Sequence, residues 1–401
     1  MEFFYVSSLC SPKKFANIYH QSKIKPQQQA QKFHYLFIKG LELLNNKVYI
    51  MSVLPINRRS FSALWVKREK ESNGDLVYEY LPILNYPFIK HIIVFFSALF
   101  SIFSWSIKNM KNKKVLICDV LNVTSSISAL IASKLLGIQS VAIITDLPGF
   151  MINNSKKKSV INRIFDDFYI RISRFYIYRF DGYILLTEQM NEMVNPKNKP
   201  FVVIEGMVDI EMKEVLNKLE NKYDEKIIIY AGALFEKYGV KRLLDAFMKV
   251  DLKEARLWIF GSGELENHIG IYEKADNRIK FFGMVPNEEV VNEEMRATLL
   301  VNPRPSTEEF TKFSFPSKNM EYMASGTPLL TTKLPGMKNE YYDFIYLIDD
   351  ENELGIAEAL QMVLRKSKYE LFYKGLRAKE FVLKEKSNIQ QVKRFMDELI
   401  G

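Results

Sequence analysis

The 401 residues are 48% hydrophobic, 13% aromatic and 26% charged, enough apolar material to bury a core, which excludes disordered and fibrous classes. The chain is longer than the size at which single cores stop growing, so two domains are expected. A formal net charge of +9 points to anionic partners: phosphate ligands, nucleic acid or a membrane surface.

The chain opens EFFYVSSLCSPKK, with no basic stretch ahead of its apolar run, which argues against a secretory leader. Cys10 and Cys118 both sit in apolar runs and read as small buried hydrophobes in a reducing cytoplasm. Apolar runs at 3–9, 47–54, 114–120, 140–147 and 182–187 read as strands, with helical patterns such as 28–44 and 125–137 between them. That alternation predicts a doubly wound parallel sheet. Residues 92–107, IIVFFSALFSIFSWSI, carry no charge but hold four serines over 16 residues, short of the roughly 20 needed to span a bilayer. A buried or interfacial helix is predicted there. Residues 156–179, KKKSVINRIFDDFYIRISRFYIYR, interleave Lys and Arg with aromatics. They suit an amphipathic helix with a basic outer face, or one lying on anionic lipid. A nucleic-acid reading lacks a recognisable module, so no nucleic acid is expected as a partner.

The polar stretch Asn195–Pro200 is the expected hinge between a first domain over 1–199 and a second domain over 200–385. A C-terminal helix over 386–401 is expected to return to the first domain. In the second half, runs at 226–234, 256–264, 279–285, 298–305, 327–332 and 346–350 alternate with further helical patterns. Two Rossmann-like halves of this kind place the carboxyl ends of their strands on either side of one central cleft.

Five short stretches bear on chemistry. Gly261-Ser262-Gly263-Glu264 follows a strand, but Glu266 stands where a dinucleotide fingerprint needs its third glycine, so only a turn permitting close ligand approach is retained. Gly232, after the strand ending at Ala231, either turns backbone amides toward an anion or simply joins strand to helix. Arg304, held between Pro303 and Pro305, suits bidentate phosphate contact. Lys318 and Glu321 share one side of a helix that stops at Ser325-Gly326-Thr327-Pro328. They are either a solvated ion pair or two hooks of one site, the cation for phosphates and the carboxylate for ribose hydroxyls. Asp146 closes the run 140–147 as a helix cap, a general base or a substrate contact. The sequence holds no Asp-x-Asp, no His-x-x-x-His, no cysteine pair at metal spacing and no Gly-x-Ser-x-Gly, so neither a metal site nor a serine hydrolase is expected. His20, His34, His91 and His268 are scattered and read as structural.

Taken together, IIIYAGAL with YGVKRLLDAF, LWIFGSGELE, IKFFGMVPNEEV, LLVNPRPS and FPSKNMEYMASGTPLL followed by KLPGM, with TDLPGFM in the first half, resemble glycosyltransferase family 4. These are retaining nucleotide-sugar enzymes of GT-B fold, and the likeness is to their bacterial capsule and exopolysaccharide branch. It covers 227–350 well and the first half loosely. The resemblance implies that Glu321 is the second glutamate of the family's Glu-x7-Glu signature and holds the ribose hydroxyls. It implies that Lys318 and Arg304 meet the diphosphate above Gly232, that Gly261 and Ser262 line the donor site, and that residues 282–285, with Gly283 and Met284, frame the base. Ser325, Gly326 and Thr327 would shape the pocket floor. Phe313 stands where the signature's first glutamate is expected, leaving Glu308 or Glu309 as substitutes. Ala233 and Tyr238 occupy the family's arginine and lysine positions, with Lys237 adjacent to compensate, and Asp146 stands closest to the family's N-domain histidine.

The implied activity is retaining, metal-independent and cofactor-free transfer of a hexosyl group from a nucleotide-sugar, a UDP-sugar, to a lipid-linked saccharide in bacterial surface polysaccharide synthesis. Asp146, Lys318 and Arg304 are the implied catalytic residues. The enzyme would be cytoplasmic, peripheral at the inner face of the anionic cell membrane. The alternatives are a nucleotide-sugar epimerase, an inverting GT-B enzyme, or a non-catalytic two-lobed binding protein.

Overall fold

Strands buried on both faces need helices on both sides, and this chain builds such an arrangement twice. The computed structural model describes residues 1–26, 28–86, 88–109, 112–147 and 160–401, the side chains of residue 29 and of 160–165 excepted. The end of the TDLPGFM motif and the Lys156–Lys158 cluster of the basic stretch lie outside the described residues. Two units emerge: Met1–Glu205 together with Asn388–Gly401, and Gly206–Ser387.

The first unit runs β1 (Glu2–Ser7), α1 (Pro12–Gln21), α2 (Gln28–Leu43), β2 (Lys47–Ser52), β3 (Trp65–Val66), β4 (Glu69–Asn73), β5 (Leu76–Tyr80) and β6 (Ile83–Leu84). It continues with α3 (Ile89–Lys108), β7 (Lys114–Asp119), α4 (Val123–Leu136), β8 (Gln139–Ile144), α5 (Val160–Ile177), β9 (Gly182–Leu185), α6 (Gln189–Val194) and β10 (Phe201–Val203). Its sheet has the order β10-β9-β8-β7-β1-β2-β5-β4, parallel throughout except that β4 pairs antiparallel with β5. Residues 65–84, read as no particular element from the sequence, thus supply four short strands. The β4 segment EKESN is polar on both faces, so no apolar alternation marks it; Gly74 at φ 60° turns the chain back onto β5. Its charges also blunt the sheet edge.

Helix α3 is longer than the uncharged run within it. Among the described residues it is the one helix long and apolar enough to cross a membrane by length and composition, and a third of its most apolar window is buried. It packs on the unit along one side: Ser101 donates to Glu79 Oε2 at 2.6 Å, and the Trp105 ring lies 5.0 Å from that of Phe4.

In the second unit, β11 (Lys226–Ala231), α7 (Val240–Phe247), β12 (Ala255–Phe260), α8 (Glu266–Ala275), β13 (Ile279–Gly283), α9 (Asn287–Arg296) and β14 (Leu299–Asn302) come first. Then follow α10 (Ser317–Ser325), β15 (Leu329–Thr332), β16 (Tyr346–Ile348), α11 (Glu353–Leu364) and α12 (Lys368–Glu385). The sheet is parallel with the order β13-β12-β11-β14-β15-β16. Successive β11 side chains feed two separate cores. Ile228 and Tyr230 join Leu244 of α7 and Leu360 of α11, whereas Ile227 and Ile229 join Tyr322 of α10 and Val382 of α12. Strand order reverses between β11 and β14, and ligands of open α/β sheets bind at the carboxyl edge of such a switch point.

The last helix, α13 (Asn388–Phe395), belongs to the first unit, where it packs on α2. Gly40 makes that approach possible: a Cβ there would stand 2.6 Å from the Asn388 carbonyl oxygen and 2.7 Å from Val392 Cγ2. The Phe395 ring completes the contact 5.3 Å from Phe37. Gly40→Val should therefore overpack the α2–α13 interface and destabilise the first unit by about 1–3 kcal/mol, read as a lowered first-unit transition in calorimetry.

Candidate functional site

At the carboxyl edge of the second sheet, the loops after neighbouring strands lie backbone against backbone. The Gly232 amide donates to the Phe260 carbonyl at 3.0 Å, Leu234 N–H to Ser262 O at 2.9 Å, and Gly261 N–H to Gly283 O at 2.8 Å. Gly261, at φ 129°, sits so close to Gly232 that a Cβ would come within 1.8 Å of its carbonyl oxygen. Only glycine fits both that conformation and that gap. The amide of Gly232 is spent inside the protein, so this residue sets the spacing of the loops and its own N–H does not face an anion. Ser262 and Met284 are exposed on the same edge, and the space beside Gly283 is open.

The loop after β11 is clamped to the loop after β14. Gly239, at φ 79°, lies against the Pro303 carbonyl, which a Cβ would approach to 2.0 Å. That contact sets Tyr238 beside Arg304. The Arg304 guanidinium stacks 4.7 Å over the Tyr238 ring and 5.6 Å from Phe310, and Lys237 Nζ lies 5.3 Å from the centre of the same Tyr238 ring. The buried Nε of Arg304 has no hydrogen-bond partner. Burial pulls its pKa down, offset in part by Tyr238 and Tyr230, with no carboxylate among the causes. Arg304 is thus a rigid cation held by aromatic faces without an anion to meet it among the described residues. Glu308 and Glu309 lie in the loop that also carries Phe310, between β14 and α10.

Lys318 and Glu321 sit at the start of α10, tied to the end of β14 by Asn302, whose Nδ2 donates to Asn319 Oδ1 at 2.6 Å. They meet each other: Lys318 Nζ donates to Glu321 Oε2 at 2.7 Å. A second carboxylate, Glu294 of α9, fully buried, lies 4.0 Å from the same ammonium. Burial pulls the Lys318 pKa down, but Glu321 and Glu294 outweigh it and the net shift is upward. One ammonium between two carboxylates leaves the cluster net negative. That arrangement fits a hydroxyl-binding carboxylate held in place by a lysine better than it fits a phosphate hook. Glu294 has no sequence signal beyond Val290 and Glu294 falling four apart on an otherwise polar helix.

Ser325, Gly326 and Thr327 are not brought to this edge. Ser325 ends α10 and Gly326 and Thr327 follow it, and about eight residues of helix at 1.5 Å each carry the chain some 12 Å to the opposite edge of the sheet. There the turn is buried and internally satisfied. Thr327 Oγ1 donates to Glu294 O at 2.7 Å and accepts from Lys222 Nζ at 2.7 Å, while Asn217 Nδ2 donates to Ser325 O at 2.9 Å. Burial pushes the Lys222 pKa down to about 7. The turn braces the base of the sheet and does not floor a pocket with Arg304 or Glu321.

Asp146 belongs to the first unit, just past β8. Burial first, and Asp119 second, push its pKa up to about 6. Asp119 ends β7 as part of a buried relay that the scattered histidines did not suggest. Tyr5 Oη and His34 Nδ1 are 2.6 Å apart, His34 Nε2 is 3.3 Å from Asp119 Oδ2, and Asn122 Nδ2 donates to that oxygen at 2.6 Å. The relay forms because β1, β7 and α2 meet at the switch point of the first sheet, a proximity that spacing along the chain does not encode. Among the described residues no group of three or more His, Cys, Asp or Glu is placed to hold a metal ion.

Because the folded pKa of Asp146 stands above its unfolded value, its contribution to stability is present below pH 3.8 and lost as pH rises through about 6. Asp146→Asn should accordingly raise the melting temperature relative to the unmodified chain at pH 7.5 and not at pH 3.5, in parallel thermal melts.

Comparison with known proteins bears on this geometry. Residues 225–366 match the family model described as Glycosyl transferases group 1. No curated protein matches the sequence. Among solved structures, the chain resembles a sucrose-phosphate synthase from Thermosynechococcus elongatus at TM-score 0.66 and 14% identity, over 99% of this chain and 98% of that one. It resembles Anabaena Alr3699/HepE, solved in complex with UDP, at TM-score 0.61 and 12% identity, over the whole of both chains. A UDP-forming α,α-trehalose-phosphate synthase from Burkholderia xenovorans, in complex with glucose-6-phosphate, aligns at TM-score 0.67 and 10% identity over the whole of both chains. These likenesses give the fold: GT-B, two Rossmann-like units. The segment of the second unit that carries Arg304, Lys318 and Glu321 is thus the part of the chain that matches the group 1 glycosyltransferase family.

Proposed function

We propose that the chain transfers a hexosyl group from a UDP-sugar to a lipid-linked saccharide in bacterial surface polysaccharide synthesis, with retention of anomeric configuration and without a metal. The observation that carries this reading is Arg304: a guanidinium at the carboxyl edge of the β11/β14 switch point, caged by Tyr238 and Phe310, with a buried Nε that no protein group meets. A desolvated cation without a counter-ion costs free energy unless an anion arrives. A nucleoside diphosphate supplies one, and its charge grows as the bond to the sugar breaks, so a fixed guanidinium favours the transition state over the ground state. Lys237, exposed beside the cage, adds a second cation. It takes over from the Tyr238 position, whose ring is used as cage wall.

Glu321 is assigned to the ribose hydroxyls and Lys318 to positioning it, in keeping with the net negative cluster they form with Glu294. The open backbone around Gly283 and Met284 is assigned to the base. On the acceptor side, Asp146 is assigned to receive or share the proton of the attacking hydroxyl. Its carboxyl, pushed up to about 6, lies near working pH, where proton exchange is most effective. The UDP complex of one structural neighbour and the UDP-forming reaction of another support this reading of the donor class.

Thermal shift against UDP, GDP, ADP and dTDP tests it. UDP at 100 times its dissociation constant should stabilise the protein by about 2.7 kcal/mol. Arg304→Ala and Glu321→Ala should each weaken UDP by about tenfold or more, the cost of losing a charge-assisted contact. Arg304→Lys should recover little, because an ammonium cannot reproduce the stacked fork. Stabilisation by none of the four nucleotides would overturn the reading. The anomeric configuration of the product, read by NMR, separates retention from inversion.

A further inference from the structure

We infer that Glu294 of α9 is a positioning residue for the donor: it holds Lys318 from the buried side, so that Glu321 keeps negative charge for the ribose hydroxyls, and it thereby sets selectivity for a ribonucleotide. The inference rests on the nucleotide-sugar reading and gives the second carboxylate of the cluster a role that the reading leaves open.

Glu294 stands where a helix ordinarily puts an apolar side chain. Val290, one turn earlier, is the other buried residue of α9, and it enters the core that holds Tyr322 and Met323 of α10. A fully buried carboxylate at the next turn is costly unless a cation meets it. Lys318 supplies that cation, its ammonium 4.0 Å from Glu294 Oε1. The same ammonium bonds Glu321 Oε2 at 2.7 Å. Side-chain exposure orders the three groups: Glu294 1%, Glu321 15%, Lys318 22%. Glu294 thus approaches the ammonium from the core, while Glu321 and Lys318 reach the surface at the rim. Burial lowers the Lys318 pKa, yet Glu321 and Glu294 together raise it above the ordinary value, as an ammonium shared between two carboxylates requires.

The two carboxylates sit on helices that are tied down separately. The main-chain carbonyl of Glu294 accepts from Thr327 Oγ1 at 2.7 Å, and that hydroxyl is also met by Lys222 and Asn217. Glu321 immediately precedes Tyr322, whose hydroxyl accepts from the Ala231 N–H at 2.7 Å and donates to the Ala231 carbonyl at 3.1 Å, at the end of β11. With both helices fixed, the balance of the two carboxylates decides where the ammonium sits. That balance has a chemical consequence. A Lys318–Glu321 pair alone would be neutral, with the charge of the carboxylate spent on the ammonium, and a ribose hydroxyl would make an ordinary hydrogen bond to it. With Glu294 drawing on the same ammonium, the three groups sum to one negative charge, and a hydroxyl donor gains a charge-assisted bond, about twice as strong as a neutral one. Glu294, being buried, reaches the ligand only through Lys318. A residue that merely braced the helices would be indifferent to the 2′-hydroxyl of the ligand.

The test titrates UDP and 2′-deoxy-UDP calorimetrically into the full chain and into Glu294→Gln, which keeps the size and polarity of the side chain and removes its charge. Wild type should bind UDP about tenfold or more tighter than the deoxy form. Glu294→Gln should narrow that ratio to about threefold, by weakening UDP while leaving the deoxy form nearly unchanged. Thermal melts supply a second arm. Lys318→Met strips the buried Glu294 of its cation and should lower the melting temperature, and adding Glu294→Gln should recover part of the loss. UDP binding with the same ratio in Glu294→Gln as in wild type overturns the inference and leaves the nucleotide-sugar reading standing. Equal weakening of both nucleotides, the mark of a merely structural residue, also overturns it. So does a double variant whose melting temperature falls by the sum of the single losses, since nothing then couples Glu294 to Lys318. Absence of UDP binding to wild type overturns both the inference and the reading beneath it.

Discussion

The second unit depends on a backbone-on-backbone contact. Gly261 stands against the carbonyl of Gly232, and Gly239 against that of Pro303, each at a separation and a φ that only glycine tolerates. These contacts draw the loops after β11, β12 and β14 into one rim. Everything chemical on that rim follows. Tyr238 is brought beside Arg304 because Gly239 lets the chain pass Pro303, and Arg304 is oriented by the rings it meets there. A loop even one methyl group wider would separate the guanidinium from its cage.

The electrostatics of the rim are divided in a way that suits the proposed ligand. Arg304 presents positive charge without an internal partner, while a few residues on, the cluster of Lys318, Glu321 and Glu294 is net negative and internally bonded. A nucleoside diphosphate has the matching division, with anionic phosphates at one end and neutral hydroxyl donors at the other. Charged groups stripped of water are costly, so an arrangement that pairs one set and leaves the other open is informative about what completes it. In the first unit, the Tyr5–His34–Asp119 relay lies at a switch point, and burial first and Asp119 second keep the Asp146 carboxyl's proton late.

Several features were legible in the chain because they depend on near neighbours. The strands at Lys226–Ala231 and Lys114–Asp119 are nearly continuous apolar runs, as strands buried on both faces must be. Arg304 between two prolines at a strand end marked a restricted cation. Other features were not legible. The strand Glu69–Asn73 is polar on both faces and owes its place to a glycine turn and a free sheet edge. Glu294 looks like any acid of a polar helix until α10 packs over it. The extended α3 was recognisable as apolar, but which of its phenylalanines face outward depends on the packing of α4 and the first sheet.

The sequence by itself determined the alternation of strand and helix, the two-unit plan and the residue types on which the proposed nucleotide-sugar site draws, because hydrophobic periodicity and turn chemistry act over a few residues. Tertiary structure decided which of those residues share a site. Lys318 and Ser325 lie seven positions apart, yet a helix carries them to opposite edges of the sheet, one to the ligand rim and the other into a buried brace with Lys222. Arg304 and Tyr238 lie 66 positions apart and touch. Strand order and the crossing of loops at a switch point fix such distances, and these arise only when the whole sheet is assembled.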